Sequence, residues 1–184
     1  MNVALTSLWL PIMLSAIAVF FVSSLIWTVV QWHNSDWHKL PDEDAVRKAL
    51  SGTPPGLYNL PHAAHGKDRA SEEWQAKFRA GPAAMLTVVP HGTLSMGKQL
   101  GQWMLYCLII STLVAYVAAA SLSPGTEYLK VFQVTSTTAW LAYGGAVGMN
   151  YVWFGGSGGK AIKDVIDALV YALVTAGFFG WLWP

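Results

Sequence analysis

Four stretches of this chain carry no Asp, Glu, Lys or Arg: residues 1–35, 99–126, 131–159 and 168–184. A helix needs about 20 consecutive apolar residues to cross the hydrocarbon of a bilayer, and these blocks have that dimension. Charged residues make up 11% of the chain and hydrophobic ones 54%, whereas a soluble domain is roughly 25% charged. Too little charge remains to wet an ordinary surface. A soluble enzyme, a disordered tail and a nucleic-acid-binding module are excluded on that ground. The net charge of +1 offers no field for a polyanion either.

The expected fold class is an all-α integral membrane protein with four transmembrane helices. The spans are placed at about Leu8–Trp32, Leu100–Leu122, Val131–Phe154 and Val165–Trp183. Residues 1–32 form the first transmembrane unit, 33–98 a connection of about 65 residues, far beyond an ordinary loop, and 99–184 a three-helix bundle. The first span does not read as a cleaved signal peptide. No Lys or Arg precedes it, its apolar run is too long, and no small-residue cleavage site follows it. Eight Lys and Arg fall in the long connection, Lys160 and Lys163 lie between spans three and four, and only Lys130 lies on the opposite side. The positive-inside rule then places both termini outside, on the periplasmic side, and the connection in the cytoplasm. Trp9, Trp181 and Trp183 fall at the outer interface in this arrangement, and Trp27, Trp32, Trp103 and Trp153 near the inner one.

Within the connection, Pro41 opens a helix with acids in its first turn, basic residues in its last and Gly52 beyond it. A second helix is predicted over Glu72–Ala80, capped by Ser71 and stopped at Gly81-Pro82, and Ala84–Val89 reads as one short strand. The segment is too poor in apolar residues to own a stable core. Trp74 and Phe78 lie one turn apart, which suits either a partner-binding patch or an interfacial helix on the bilayer, the second being preferred.

Candidate chemistry is sparse. His33, His38, His62, His65 and His91 all lie in the connection. With no Cys among them and no zinc spacing, they read as surface histidines in preference to a metal site. No span interior holds the histidine that a bundle haem needs. The run Gly155–Lys160 fails the phosphate-loop pattern at Phe154 and Ala161. Its Gly-x-Ser-Gly resembles the serine motif of rhomboid proteases, but no histidine follows His91 to act as base. It reads as a flexible hairpin. Lys160 and Lys163, at the start of the fourth span, could meet a lipid phosphate, generic headgroup contact being the preferred alternative. Asp167 sits near the inner headgroups, four residues after Lys163, while Asp164 follows Lys160 by the same step. Two helix-surface ion pairs result. Thr135, Thr137 and Thr138 could line a polar path with Asp167, although hydroxyl packing is the default. Small residues recur every fourth position at Ser111, Ala115 and Ala119, at Gly144 and Gly148, and at Ala168, Ala172, Ala176 and Gly180. Such stripes let helix backbones approach closely in lipid. The first span shows none and is expected to pack loosely or face a partner.

The phrases Asp36–Glu43, Met96-Gly97-Lys98, Trp153-Phe154-Gly155, and Thr175-Ala176-Gly177 to Pro184 resemble a family of small uncharacterised bacterial inner-membrane proteins. That resemblance implies a bacterial inner-membrane setting and no activity, cofactor or site residue. The leading expectation is a non-enzymatic accessory, assembly or scaffold subunit, partnered by the bilayer and by other membrane subunits or its own copies, with no nucleic acid, catalytic residue or cofactor. A small oligomeric transporter or channel is the alternative, and a metal-handling membrane protein the third.

Overall fold

The computed structural model describes residues 3–92 and 95–184 and divides into two compact units, Met1–Trp37 with Ser95–Pro184, and His38–Leu94. The division therefore falls after Trp37 and before Ser95, so His33 to Trp37 belong with the long helices and not with the polar excursion.

The first unit is helical. A 3-10 turn at Leu5–Leu8 leads into α1 (Trp9–Leu25), whose last turn widens into a π-helical segment at Ile26–Val30. α5 (Met96–Ser121), α6 (Tyr128–Gly144), α7 (Val147–Phe154) and α8 (Gly158–Trp181) follow the second unit. Two of these segments, Leu5–Val30 and Met96–Ser121, are long and apolar enough to cross a membrane. The expected third span is broken: α6 stops at Gly144, and the Gly144-Gly145 pair separates it from α7, since paired glycines are common points of helix kinking. The expected fourth span begins earlier than Val165, at Gly158, where the Ser157 hydroxyl accepts from the Lys160 amide at 3.1 Å. The Gly155 run is a formed turn, with Gly155 left-handed at φ 68°.

α6 and α8 make the most extensive packing, α1 lies against both α5 and α8, and α5 against α6. The core holds Val114, Ala115, Ala118, Ala119, Val131, Ala139, Ala172 and Phe179. Small-residue stripes explain this closeness at most of the expected positions. Ser111, Ala115, Ala119, Ala168, Ala172 and Ala176 are all buried. A Cβ on Gly144 would lie 3.1 Å from the Ala168 Cβ, and one on Gly180 would lie 2.7 Å from the Tyr128 ring. Gly148 corrects the pattern: it is exposed, and a Cβ there meets nothing within 4 Å. The first span corrects it too. Ser15, Val19 and Ser23 recur every fourth residue and are buried, and the Ser15 and Ser111 hydroxyls meet at 3.1 Å. Serine does there what alanine does elsewhere. Outward, the unit presents Trp9, Phe21, Leu105, Ile109, Leu113, Leu129 and Leu141, all exposed.

The second unit contains α2 (Glu43–Ala49), β1 (Gly56–Leu60), the single turn α3 (Gly66–Arg69), α4 (Glu72–Ala80) and β2 (Ala84–Val88). The strands pair antiparallel, with Tyr58 opposite Leu86, so the chain is mostly helical but not all-α. α2 is capped by Asp42, whose carboxylate accepts from the Ala45 amide at 2.9 Å; Pro41 precedes the cap and does not open the helix. α4 matches its expected bounds, with Ser71 capping at 3.2 Å and Gly81 left-handed at φ 61°. No described residue of this unit is buried.

Candidate functional site

The π-helical segment ends at Gln31, a non-glycine residue in the left-handed region at φ 55° whose amide donates to the Ile26 carbonyl at 2.8 Å. This reversal turns the chain back under its own helix and drives His33 inward. The expectation of a surface histidine fails here, because His33 is 1% exposed. Its imidazole stacks on Trp27 with ring centroids 4.5 Å apart. Nδ1 meets Asp36 Oδ2 at 2.8 Å, and Nε2 meets Asp167 Oδ2 on α8 at 3.0 Å. Each ring nitrogen thus faces a carboxylate oxygen, one three residues along its own segment and one from α8.

Lys163 completes the cluster. Its ammonium donates to the Trp32 carbonyl at 2.8 Å, to Ser35 Oγ at 2.8 Å and to Asp36 Oδ1 at 2.7 Å. An ammonium has three N–H groups, so none is left for a lipid phosphate. The expected Lys163–Asp167 surface pair is replaced by these contacts across to the end of the first helix. Lys160 does pair with Asp164, as the i, i+4 spacing predicts. The Lys163 hydrogen bond, with that of His33 beside it, holds the Asp36 carboxyl below the usual carboxylate range. Asp36 and Asp167 sit on opposite nitrogens of one ring, so the three groups cannot converge on a single ion. Among the described residues no group of His, Cys, Asp and Glu forms a metal centre. His38, His62, His65 and His91 are exposed and belong to the other unit.

Beside this cluster the helices leave a cleft of about 760 Å³. Its walls include Trp27, Trp103, Tyr106, Tyr143 and Tyr171, with Asp164 and Asp167 as the only ionisable groups besides the tyrosines among the described residues. That volume falls within the range of small-molecule sites, which are mostly apolar with a few placed polar groups. Asp167 Oδ1 and the Tyr143 hydroxyl are buried among the described residues with the Tyr171 hydroxyl beside the first and the Cys107 thiol beside the second. Trp103 is fixed by donating from Nε1 to Ser23 Oγ at 2.8 Å.

The expected polar path does not form along α6. Thr135, Thr137 and Thr138 each bond back to their own helix, to the carbonyls of Val131, Gln133 and Val134 at 2.8 Å, and none lines the cleft. Only Asp167 of that set reaches it. In the second unit Trp74 and Phe78 stack at 4.9 Å. The Trp74 indole donates to the Pro61 carbonyl at 3.3 Å, while Phe78 stays exposed.

Sequence reasoning missed Asp36, Trp27, Trp103, Tyr143 and Tyr171. One signal was present: His33 and Asp36 stand three residues apart directly after an apolar span, where an acid and a base have few other partners. No family model, curated protein or solved structure matches the chain.

Proposed function

We propose that this is a non-enzymatic, multi-span membrane protein that binds a small solute in the cleft and carries it, as a small transporter acting in an oligomer. The observation that carries this reading is Asp167, 6% exposed, among the residues that line a cleft between helices. Ionisable groups buried between the helices of a membrane protein are rare, and they mark substrate or ion pathways. The bacterial inner-membrane setting, the four spans, the outward termini and the cytoplasmic 33–98 connection belong to the same proposal. The apolar surface of the helical unit and the Lys and Arg bias support them.

Uptake into liposomes holding the full chain tests the reading, using one labelled amine, one carboxylate and one sugar. The expected result is uptake of one solute above protein-free liposomes, lowered at least tenfold in Asp167→Asn. Uptake equal to protein-free liposomes for all three counts against transport.

One observation favours the accessory-subunit reading. α7 has no buried residue, and Met149, Tyr151, Val152, Trp153 and Phe154 are all exposed on it. A stoichiometric membrane partner retained on gentle extraction, and lost in Trp153→Ala, would support that role.

A further inference from the structure

Both nitrogens of the His33 ring stand within hydrogen-bond distance of a carboxylate oxygen, Nδ1 of Asp36 Oδ2 and Nε2 of Asp167 Oδ2. A neutral imidazole carries one N–H, and an ionised carboxylate carries no donor. The two contacts therefore need one proton more than a neutral ring and two carboxylates hold. Without it, a bare ring nitrogen and a carboxylate oxygen would face each other at 2.8 or 3.0 Å in a buried place, which is costly. Lys163 does not supply that proton, since its three N–H groups go to Trp32, Ser35 and Asp36. Charge leads to the same count. Asp36 and Asp167 bring two negative charges and Lys163 one positive, while Asp164 is paired with Lys160. One proton balances the cluster, as burial requires.

The cluster has an outer and an inner side. Outward, Asp36 adjoins Asn34 and Ser35, both exposed, which gives a proton a way to water. Inward, Asp167 lines the cleft, and so does Trp27, whose indole stacks on the His33 ring. The Tyr171 hydroxyl of α8 lies beside Asp167, with Tyr143 of α6 and Cys107 of α5 further in. We propose that His33 and Asp167 share one exchangeable proton, and that this proton is the ion coupled to solute movement through the cleft. The coupling rests on the transport reading above; the proton site does not. When the proton leaves past Asp36 to water, Nε2 and Asp167 Oδ2 become two acceptors set against each other. They separate, and Trp27 and Asp167 carry the cleft wall with them.

Two readouts on the full chain in a neutral detergent, scanned from about pH 5 to about pH 9, test the site. The first is the ring-nitrogen resonances of nitrogen-15 histidine, with His33 identified as the signal missing from His33→Gln. A single one-proton step is expected there. Asp167→Asn should lower the proton affinity at least tenfold, because an Asn amide donates to Nε2 itself. Circular dichroism must show that variant folded; should it unfold, the step in the parent decides. The second readout is tryptophan emission, expected to change at the same pH and to lose that change in Trp27→Phe. His33 signals that stay constant would overturn the proton site. A His33 step with unchanged tryptophan emission would overturn its link to the cleft. In liposomes, a pH difference across the membrane should change the rate of solute uptake at least threefold. Uptake indifferent to it would overturn the coupling and leave transport standing. A His33 step without uptake of any solute would remove transport and the coupling together, while the proton site stood.

Discussion

Ion pairs occur in both units, yet their surroundings differ. In the helical unit the side chains of His33, Asp36 and Asp167 are 2%, 5% and 8% exposed. In the polar unit Arg47–Glu43 and Lys77–Glu73 lie i, i+4 along α2 and α4, with every partner more than half exposed. A charge inside a low-dielectric region depends on its partner, because water cannot replace it. A charge at the surface loses little when the partner goes, since water and salt take its place. The buried cluster therefore ties the end of α1 to α8, whereas the surface pairs decorate helices that form for other reasons.

The strongest way to break this comparison is His33→Ala. It leaves Asp36 and Asp167 without the imidazole between them, and removing one member of a buried pair costs about 3 kcal/mol or more. The thermal unfolding midpoint of the full chain in detergent should fall markedly, while His62→Ala and His65→Ala should leave it in place. Equal effects from the three substitutions would mean that burial is not what distinguishes His33.

Acid tests the same cluster through Asp36. Asp36 titrates below its ordinary value of 3.8, so the folded state favours its ionised form. Its contribution is complete above that ordinary value and is lost as pH falls through the lower folded value. The loss of stability that Asp36 contributes should therefore appear only below about pH 4, and Asp36→Asn should remove that part of the acid response.

Packing sharpens the contrast on a smaller scale. Gly180→Ala places a methyl group 2.7 Å from the Tyr128 ring. Overpacking of that kind costs about 1–3 kcal/mol. Gly66→Ala, in the polar unit, meets nothing within 4 Å and should not destabilise. The pair of midpoints, measured side by side, checks whether one unit is close-packed and the other is not.

Most of the helical unit is legible from local pattern. Charge-free blocks place the long helices, and small residues at fourth positions locate their contacts, because both signals reside within one helix. Gly148 escapes the pattern because the break at Gly144-Gly145 moves it onto a separate short helix, which no count of small residues reveals. The cluster around His33 escapes for another reason. It joins residues some 130 positions apart, and it depends on the reversal at Gln31, a residue type with no preference for the left-handed region. The spacing of Lys163 and Asp167 suggested a surface pair, yet the returning chain offered Lys163 three better acceptors. In the polar unit β2 was legible from its own sequence, but its partner β1 lay hidden among prolines and glycines that read as turns.

The smallest effect belongs to the surface pair on α4. Lys77 donates to Glu73 at 2.6 Å and holds that carboxyl below the usual range, so the contact is formed. Its loss should still count for little, because both groups return to water that already surrounds them. α4 is secured elsewhere, by the Ser71 cap and by the Trp74 indole on the Pro61 carbonyl. Lys77→Ala should therefore leave amide exchange across Glu72–Ala80 within about a factor of two of the parent, and raising the salt concentration should do no more. A tenfold acceleration of those amides would show that an exposed pair can hold structure in the unit that lacks a core. The distinction between the two units would then rest on packing and no longer on how each treats its charges.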